Sequence, residues 1–230
     1  MHQHYGQFCP IAMASEVLAE RWTLLVVREL LCGSRRFNEI RRGVPRLSPS
    51  LLKQRLQTLE KAGIVERQTG MEGGFDYLLT QAGRDLQPVV FSIGEWGQRW
   101  SREIEKKDLD PSVLMWAMHR RLNTPAMPPG RTVIALEFLD ARISHRRFWL
   151  VHHDGDVEVC FKDPGYDITI YLSTQLRILV ECWRGIRSLK EELRAGTIKL
   201  AGPPGLCREF PKWLLLSQFA SIDRARAAAS

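Results

Sequence analysis

Apolar residues recur at helical spacing through most of the first hundred positions. Cys9-Pro10 opens a helix, because proline is well placed at the first helical position, and Ile11, Ala14, Val17 and Leu18 give it an apolar face. Trp22 to Leu31 is apolar almost all round, which predicts a helix buried among others, with Cys32 in the core beside it. Gly33-Ser34 stops that run. Arg35 to Arg42 then reads as a short helix anchored by Phe37 and Ile40, with Arg35, Arg36, Arg41 and Arg42 facing outward. Ser48 is the expected N-cap of a further helix and Pro49 its first residue. In it Leu52, Leu56 and Leu59 form a core stripe and leave Ser50, Lys53, Gln54, Gln57 and Lys61 on the other side, until Gly63 ends it.

The period then changes. Ile64 to Thr69 and Tyr77 to Thr80 alternate like strands around the glycine-rich turn Gly70-Met71-Glu72-Gly73-Gly74. A helix, a turn, a helix and a hairpin in that order predict a mainly α winged helix-turn-helix, whose wing carries Arg67 and Gln68. Gln81 to Leu86 starts another helix, and Pro88 to Glu105 continues it with Val89, Ile93, Trp96, Trp100 and Ile104 at steps of four, three, four and four. Such a seam fits intramolecular core, but two tryptophans exceed what one small domain needs to cover, so the reading adopted is a homodimer interface.

Lys106-Lys107-Asp108-Leu109-Asp110-Pro111 breaks the helical pattern, which divides the chain into domains at 1–107 and 108–230. The second half is α+β: a helix over Val113 to Leu122, strands at Thr132 to Leu139, Phe148 to His153, Val157 to Phe161 and Ile168 to Leu172, and a tight hairpin at Asp154-Gly155-Asp156. Helices return at Thr174 to Trp183, at Ser188 to Arg194 behind a Ser188/Glu191 capping box, and in an amphipathic segment from Leu206 to Phe219. A short polar and alanine-rich tail runs from Asp223 to Ser230.

Composition narrows the function classes. In 230 residues 44% are apolar, which sets aside disorder, and no window approaches the roughly 20 apolar residues of a membrane span. No short apolar stretch with a cleavage site follows the N-terminus, so the expected location is the cytoplasm, with no membrane partner. Five cysteines, Cys9, Cys32, Cys160, Cys182 and Cys207, stand far apart with no paired spacing, which argues against a disulfide framework or a metal site; His152 and His153 would lie on opposite strand faces. Carboxylates gather near the C-terminal hairpins, but no nucleophile motif or phosphate-binding loop accompanies them, so no catalytic residue, enzyme activity or cofactor is expected.

The net charge of +7 matters less than where it sits. From Arg28 to Arg67 ten Arg/Lys face four Glu, a net +6 within forty residues. The exposed stripe on the helix after Ser48 joins cations, suited to phosphates, with hydroxyls and amides, suited to base edges; an ordinary solvated surface has the same composition. Its place before a hairpin favours the first use. The residues assigned to double-stranded DNA are Arg36, Lys53, Arg55 and Arg67 for phosphates and Ser50, Gln54 and Gln57 for bases, completed by Arg35, Ser48, Thr58 and Gln68.

Residues 8 to about 105 resemble the HxlR-type winged-helix transcriptional regulators. The likeness is carried by Cys9-Pro10-Ile11, Arg21-Trp22-Thr23-Leu24-Leu25, Arg28-Glu29-Leu30, Gly33-x-x-Arg36-Phe37-Asn38-Glu39-Ile40, Ser48-Pro49-x-Leu51-Leu52-x-x-Arg55-Leu56, Leu59-Glu60-x-x-Gly63 and Tyr77-x-Leu79-Thr80-x-x-Gly83. The resemblance implies a dimeric, cytoplasmic DNA-binding regulator whose helix at 48 to 62 enters the major groove. Some members sense oxidants through a cysteine at the head of the first helix, a position that Cys9 matches; unpaired N–H groups there favour the thiolate.

Residues 112 to 220 more loosely resemble the sterol carrier protein-like fold, through the order of elements and Gly196-Thr197-Ile198-Lys199-Leu200-Ala201-Gly202 before the last helix. That likeness implies a domain able to hold an apolar small-molecule effector, with Leu136, Phe138, Trp149, Trp183, Phe210 and Trp213 as candidate lining or as plain core. The alternative function is a carrier of a lipid-like ligand whose N-terminal half mainly dimerises.

Overall fold

The structure, a computed structural model, describes residues 4–70 and 73–225. The expected turn residues Met71 and Glu72 and the end of the tail lie outside them. The chain divides into two compact units, Met1–Gly94 and Glu95–Ser230.

In the first unit, α1 (Pro10–Leu18), α2 (Thr23–Leu31), α3 (Phe37–Gly43) and α4 (Pro49–Lys61) precede a hairpin of β1 (Val65–Thr69) and β2 (Phe75–Leu79). The helices enclose one core of Val26, Val27, Leu30, Ile40, Val44, Leu47, Leu52, Leu56 and Leu59, closed by Ile64 and Val65 at the hairpin base. The hairpin register runs from Val65 opposite Leu79 to Thr69 opposite Phe75. A single isolated β-bridge ties it to the chain just ahead of α3: Arg36 pairs antiparallel with Asp76, and Tyr77 N donates to the Arg35 carbonyl at 2.8 Å. Helix, turn, helix and wing are thus one hydrogen-bonded body. Cys32, expected in the core, is exposed, because α2 ends at Leu31 and the chain turns outward there.

After the short α5 (Gln81–Arg84), α6 (Gln87–Trp100) runs from the first unit into the second. It stops five residues short of the expected Glu105. Beyond Trp100 the Arg102 guanidinium binds the Asp108 carboxylate through Nη1 at 2.6 Å and Nη2 at 2.8 Å, and Glu105 N donates to the same carboxylate, which folds 102–108 into a turn. Ile104 therefore leaves the helical seam. Its carbonyl accepts from Arg177 Nη1 at 3.0 Å.

The second unit is sheet-rich α+β. Following α7 (Pro111–Met118), β3 (Thr132–Phe138), β4 (Arg147–His153), β5 (Asp156–Cys160) and β6 (Ile170–Thr174) are succeeded by α8 (Leu176–Trp183), α9 (Leu189–Ala195), β7 (Lys199–Ala201) and α10 (Pro204–Trp213). The sheet order is β5-β4-β3-β6-β7, antiparallel except for the β3/β6 pair. The hairpin at Asp154-Gly155 has positive φ at both residues, 51° and 93°, as a tight primed turn requires. β7 falls within the glycine-bounded segment from Gly196 to Gly202, which the sequence does not mark as a strand.

The helices cover one face of this sheet. Leu136, Phe138, Phe148, Leu150, Ile170 and Leu172 meet Met115, Met118, Leu179, Trp183, Phe210 and Trp213 there. Val133, Ala135, Trp149 and Val151 form a separate buried cluster, as the pairing of Trp149 with Ala135 in the strand register dictates. The six candidate lining residues are all buried, but Trp149 lies across the sheet from the other five. They do not line one site.

Candidate nucleic-acid interface

Ser48 and Pro49 fix the start of α4. Ser48 Oγ accepts from Leu51 N at 3.3 Å, and the proline occupies a position whose N–H would have no helical partner. Leu52, Leu56 and Leu59 are fully buried; each contributes about 2 kcal/mol by removing its side chain from water. Their spacing leaves Ser50, Lys53, Gln54, Gln57 and Lys61 exposed along the opposite side, as the sequence predicts, while Thr58 is half-buried on its flank. The exposed face offers cations, amides and a hydroxyl from one rigid element.

Arg55 is placed differently. Its side chain is only 12% exposed, its Nε donates to the Arg21 carbonyl at 2.9 Å, and its guanidinium pairs with Glu20. Next in the chain, Trp22 adopts φ 78°, a left-handed conformation costly for an aromatic residue, at the α1–α2 turn. Arg55 thus docks α4 against that strained turn, with its Nε and Nη1 engaged by Arg21 and Glu20. A hint was available in the sequence: Arg55 lies three residues after Leu52 and four before Leu59, beside the buried stripe.

Other candidate cations flank α4. Arg35 is exposed, and its backbone N–H, with that of Arg36, donates to Glu39 Oε2 at the head of α3. Arg36 is half-exposed, with Nε 3.6 Å from the Asp76 carboxylate, which draws it toward the wing. Arg41, Arg42 and Arg46 are exposed in or just after α3; Arg46, three residues before Pro49, was not singled out from the sequence.

On the wing, Arg67 and Gln68 are both exposed but point to opposite faces of the hairpin by strand alternation. Gln68 Nε2 donates to Glu66 Oε1 at 2.9 Å, whereas the Arg67 guanidinium stacks over the Phe75 ring at 4.4 Å. Positive φ at Gly73 and Gly74 lets the turn close, with Gly70 N donating to the Gly74 carbonyl.

The seam residues of α6 are open: Val89, Ile93, Trp96 and Trp100 are exposed, Trp96 by 65%. The other side of the helix is held within the second unit. Gln98, almost fully buried, donates to the Arg184 carbonyl at 2.9 Å and accepts from Arg184 Nε at 2.9 Å and Nη2 at 2.6 Å. Tyr5, Phe8 and Ile11, at and before the head of α1, are exposed as well.

Cys9 is the N-cap residue of α1 and half-buried. The backbone N–H groups of Ala12 and then Ile11 hold its thiol below the ordinary value. Burial does the opposite to Cys182, pushed up to about 11, with the Glu192 carboxylate adding to the shift.

Residues 17–105 match the HxlR-like helix-turn-helix family. The HTH-type transcriptional regulator YvaP of Bacillus subtilis (strain 168) is 37% identical over 112 residues, which are 47% of this chain and 96% of YvaP. The chain belongs to the HxlR-like helix-turn-helix family. A second relative, the HTH-type transcriptional regulator sll1512 of Synechocystis sp. (strain ATCC 27184 / PCC 6803 / Kazusa), is 34% identical over 47% of this chain and 80% of its own length. Among solved structures, the reduced form of the transcriptional regulator YodB from B. subtilis is 31% identical, with a TM-score of 0.37, over 43% of this chain and 100% of that one. The HxlR-like match takes in α2 to α6 and ends ahead of α7, so the sheet-rich unit from β3 onward is an addition to it. Among the described residues no helix is long and apolar enough to cross a membrane, and no group of three or more His, Cys, Asp or Glu is placed to hold a metal.

Proposed function

We propose that this HxlR-like protein is a dimeric, cytoplasmic transcriptional regulator that binds double-stranded operator DNA and has no catalytic activity of its own. The observation that carries this reading is the exposed row Ser50, Lys53, Gln54, Gln57 and Lys61 on a helix whose opposite face is locked into a core by three buried leucines. Lys53 and Lys61, with Arg35 and the wing, contact phosphates; Ser50, Gln54 and Gln57 meet base edges in the major groove. Arg55 acts as a positioning residue.

Dimerisation runs through Val89, Ile93, Trp96 and Trp100, whose exposure as one stripe of α6 is otherwise costly in water. Paired recognition helices then meet half-sites about 34 Å apart, one DNA turn. The domains proposed are an HxlR-like DNA-binding domain at 1–107 and a sterol carrier protein-like domain at 108–230. The latter serves as the sensing module for an apolar effector, and an effector acts only if it favours one arrangement of the recognition helices over another. Gln98, bound to Arg184 from the helix that carries the seam, is the contact through which a change in that domain would reach the dimer axis. Cys9 is the candidate oxidant-sensing residue.

Selection of bound fragments from random DNA tests the reading. A palindromic or pseudopalindromic consensus, bound with an affinity that falls steeply with salt, is expected. No enrichment, together with an apolar molecule retained on the purified protein, would instead favour a ligand carrier.

A further inference from the structure

The last turn of α6 is finished by a segment from the far end of the chain. Trp100, the final residue of that helix, belongs to the exposed seam, and the carbonyls on either side of it are both engaged by the C-terminal segment. Ala225 N donates to the Arg99 carbonyl at 3.0 Å, and Arg224 Nη2 donates to the Ser101 carbonyl at 2.8 Å. Carbonyls at a helix end have no partner inside the helix and form its negative pole, so a backbone N–H and a guanidinium placed there act together as a cap. The Arg224 side chain is only 19% exposed, and its contact with the open Glu103 carboxylate at 3.5 Å adds little. The other end of the segment is fixed to the end of α8. Ser217 N donates to the Trp183 carbonyl at 2.9 Å, and the Ala220 carbonyl lies where a side chain on Gly185, at φ 73°, would otherwise stand.

Residues 217–225 therefore join two elements of the second unit: α8, whose Trp183 packs in the helix-covered core, and the end of the helix that carries the seam. Burial first and the Arg224 cation second hold the Arg184 guanidinium below its ordinary value, with Glu103 opposing. Two arginines that repel are thus kept close by the segment's other bonds, so its grip on α6 is balanced against a cost. We infer that residues 217–225 form a strap that holds the last turn of α6, and with it Trp100, in the conformation the dimer uses, with Arg224 as the positioning residue. Releasing the strap weakens the dimer without unfolding the chain. The segment lies outside the HxlR-like match, which ends at residue 105, so the added unit completes a dimerisation helix that the matched region leaves uncapped. A ligand that moves the end of α8 moves the strap with it, which gives the sensing module a second route to the seam beside Gln98. The inference rests on the dimer reading above.

The test uses the full chain in four variants, with two readouts: the dimer dissociation constant from sedimentation over a dilution series, and amide hydrogen exchange over residues 97–103, where Ser101 N donates to the Gly97 carbonyl. Arg224→Ala should raise the dissociation constant at least fivefold and speed exchange over 97–103, while exchange in β3 stays as in the wild type. Arg224→Lys, which keeps a cation and a donor at the helix end, should bring both readouts back to within twofold. Gly185→Ala touches no seam residue but displaces Ala220, and should weaken the dimer to a similar extent. Lys212→Ala removes an exposed cation from the same unit, one paired with Glu209, and should change neither readout. Far-ultraviolet circular dichroism and thermal melts check that each variant is folded. A wild-type dimer whose dissociation constant is unchanged in folded Arg224→Ala overturns the inference and leaves the dimer reading standing, whether or not exchange over 97–103 is faster. An equal loss in Lys212→Ala also overturns it, since any lost cation would then suffice. A wild type that is monomeric throughout the series removes both.

Discussion

The carboxylate of Glu29 occupies the space that a side chain on Gly43 would need. Arg28 joins the two, donating from Nη2 to Glu29 Oε1 at 2.7 Å and to the Gly43 carbonyl at 3.1 Å, and Ser34 donates to the other carboxylate oxygen at 3.4 Å. A buried acid on α2 is therefore satisfied only because the last residue of α3 has no side chain, and this contact sets where the chain turns toward α4.

Gly43→Ala should push Glu29 out of this position and leave a buried charge poorly paired, at a cost of about 3 kcal/mol. Urea denaturation should show the midpoint falling, and operator binding should weaken under conditions where the variant is still folded. An unchanged midpoint would mean that the helices absorb the added methyl group without moving.

Lys53 and Arg55, two residues apart on α4, should separate cleanly. Lys53→Ala is expected to weaken binding to all DNA sequences and to reduce the salt slope by about one unit, with stability unchanged. Arg55→Ala should lower stability by breaking the contacts to Glu20 and Arg21 and leave the salt slope as it is. Affinity measured at four salt concentrations, alongside thermal melts, reads both. The reverse pattern would place Arg55 on the phosphates.

Much of this arrangement is legible in the chain because the informative signals are local. Ser48-Pro49, the leucine spacing of α4 and the wing glycines act within a few residues, and the structure follows them. The errors arise where a distant partner decides. Arg55 looks like a phosphate contact until the Arg21 carbonyl, 34 residues away, is seen to take its hydrogen bond. The helical period of α6 continues through Ile104, yet the Arg102–Asp108 ion pair ends the helix near Trp100. Trp149 looks like its aromatic neighbours until pairing with Ala135 puts it on the other sheet face. Phe75 had a plain signal, an aromatic residue beside a turn, but its stack with Arg67 needs the strand register.

The α6 stripe predicts an oligomeric state. The wild type should sediment as a dimer at micromolar concentration, and Trp96→Asp, which leaves the buried Gln98–Arg184 contact in place, should sediment as a folded monomer with operator affinity reduced at least tenfold. Ile104→Ser should remain dimeric, because Ile104 lies outside the helix. A monomeric wild type would contradict the assignment of the seam.

Two cysteines should behave oppositely toward an alkylating reagent. Thiolates react, so the rate for each thiol rises with pH and levels off above its pKa. Cys9, held below the ordinary value by backbone N–H groups, should reach its plateau at lower pH than a free thiol, whereas Cys182, pushed up to about 11, should stay unlabelled at neutral pH until its unit unfolds. If Cys9 also senses oxidants, diamide should release wild-type protein from the operator and leave Cys9→Ser bound. Equal release of both would rule out Cys9 as the switch. Residue-resolved mass spectrometry follows the labelling.

The central claim is that the exposed face of α4 lies in the major groove, where guanine N7 is accessible to methylation. Dimethyl sulfate footprinting on the selected operator tests it most directly. Two patches of guanine N7 protection about one helical turn apart are predicted, with Gln54→Ala losing protection at one position in each patch. Firm binding that leaves guanine N7 fully reactive throughout the site would contradict the account.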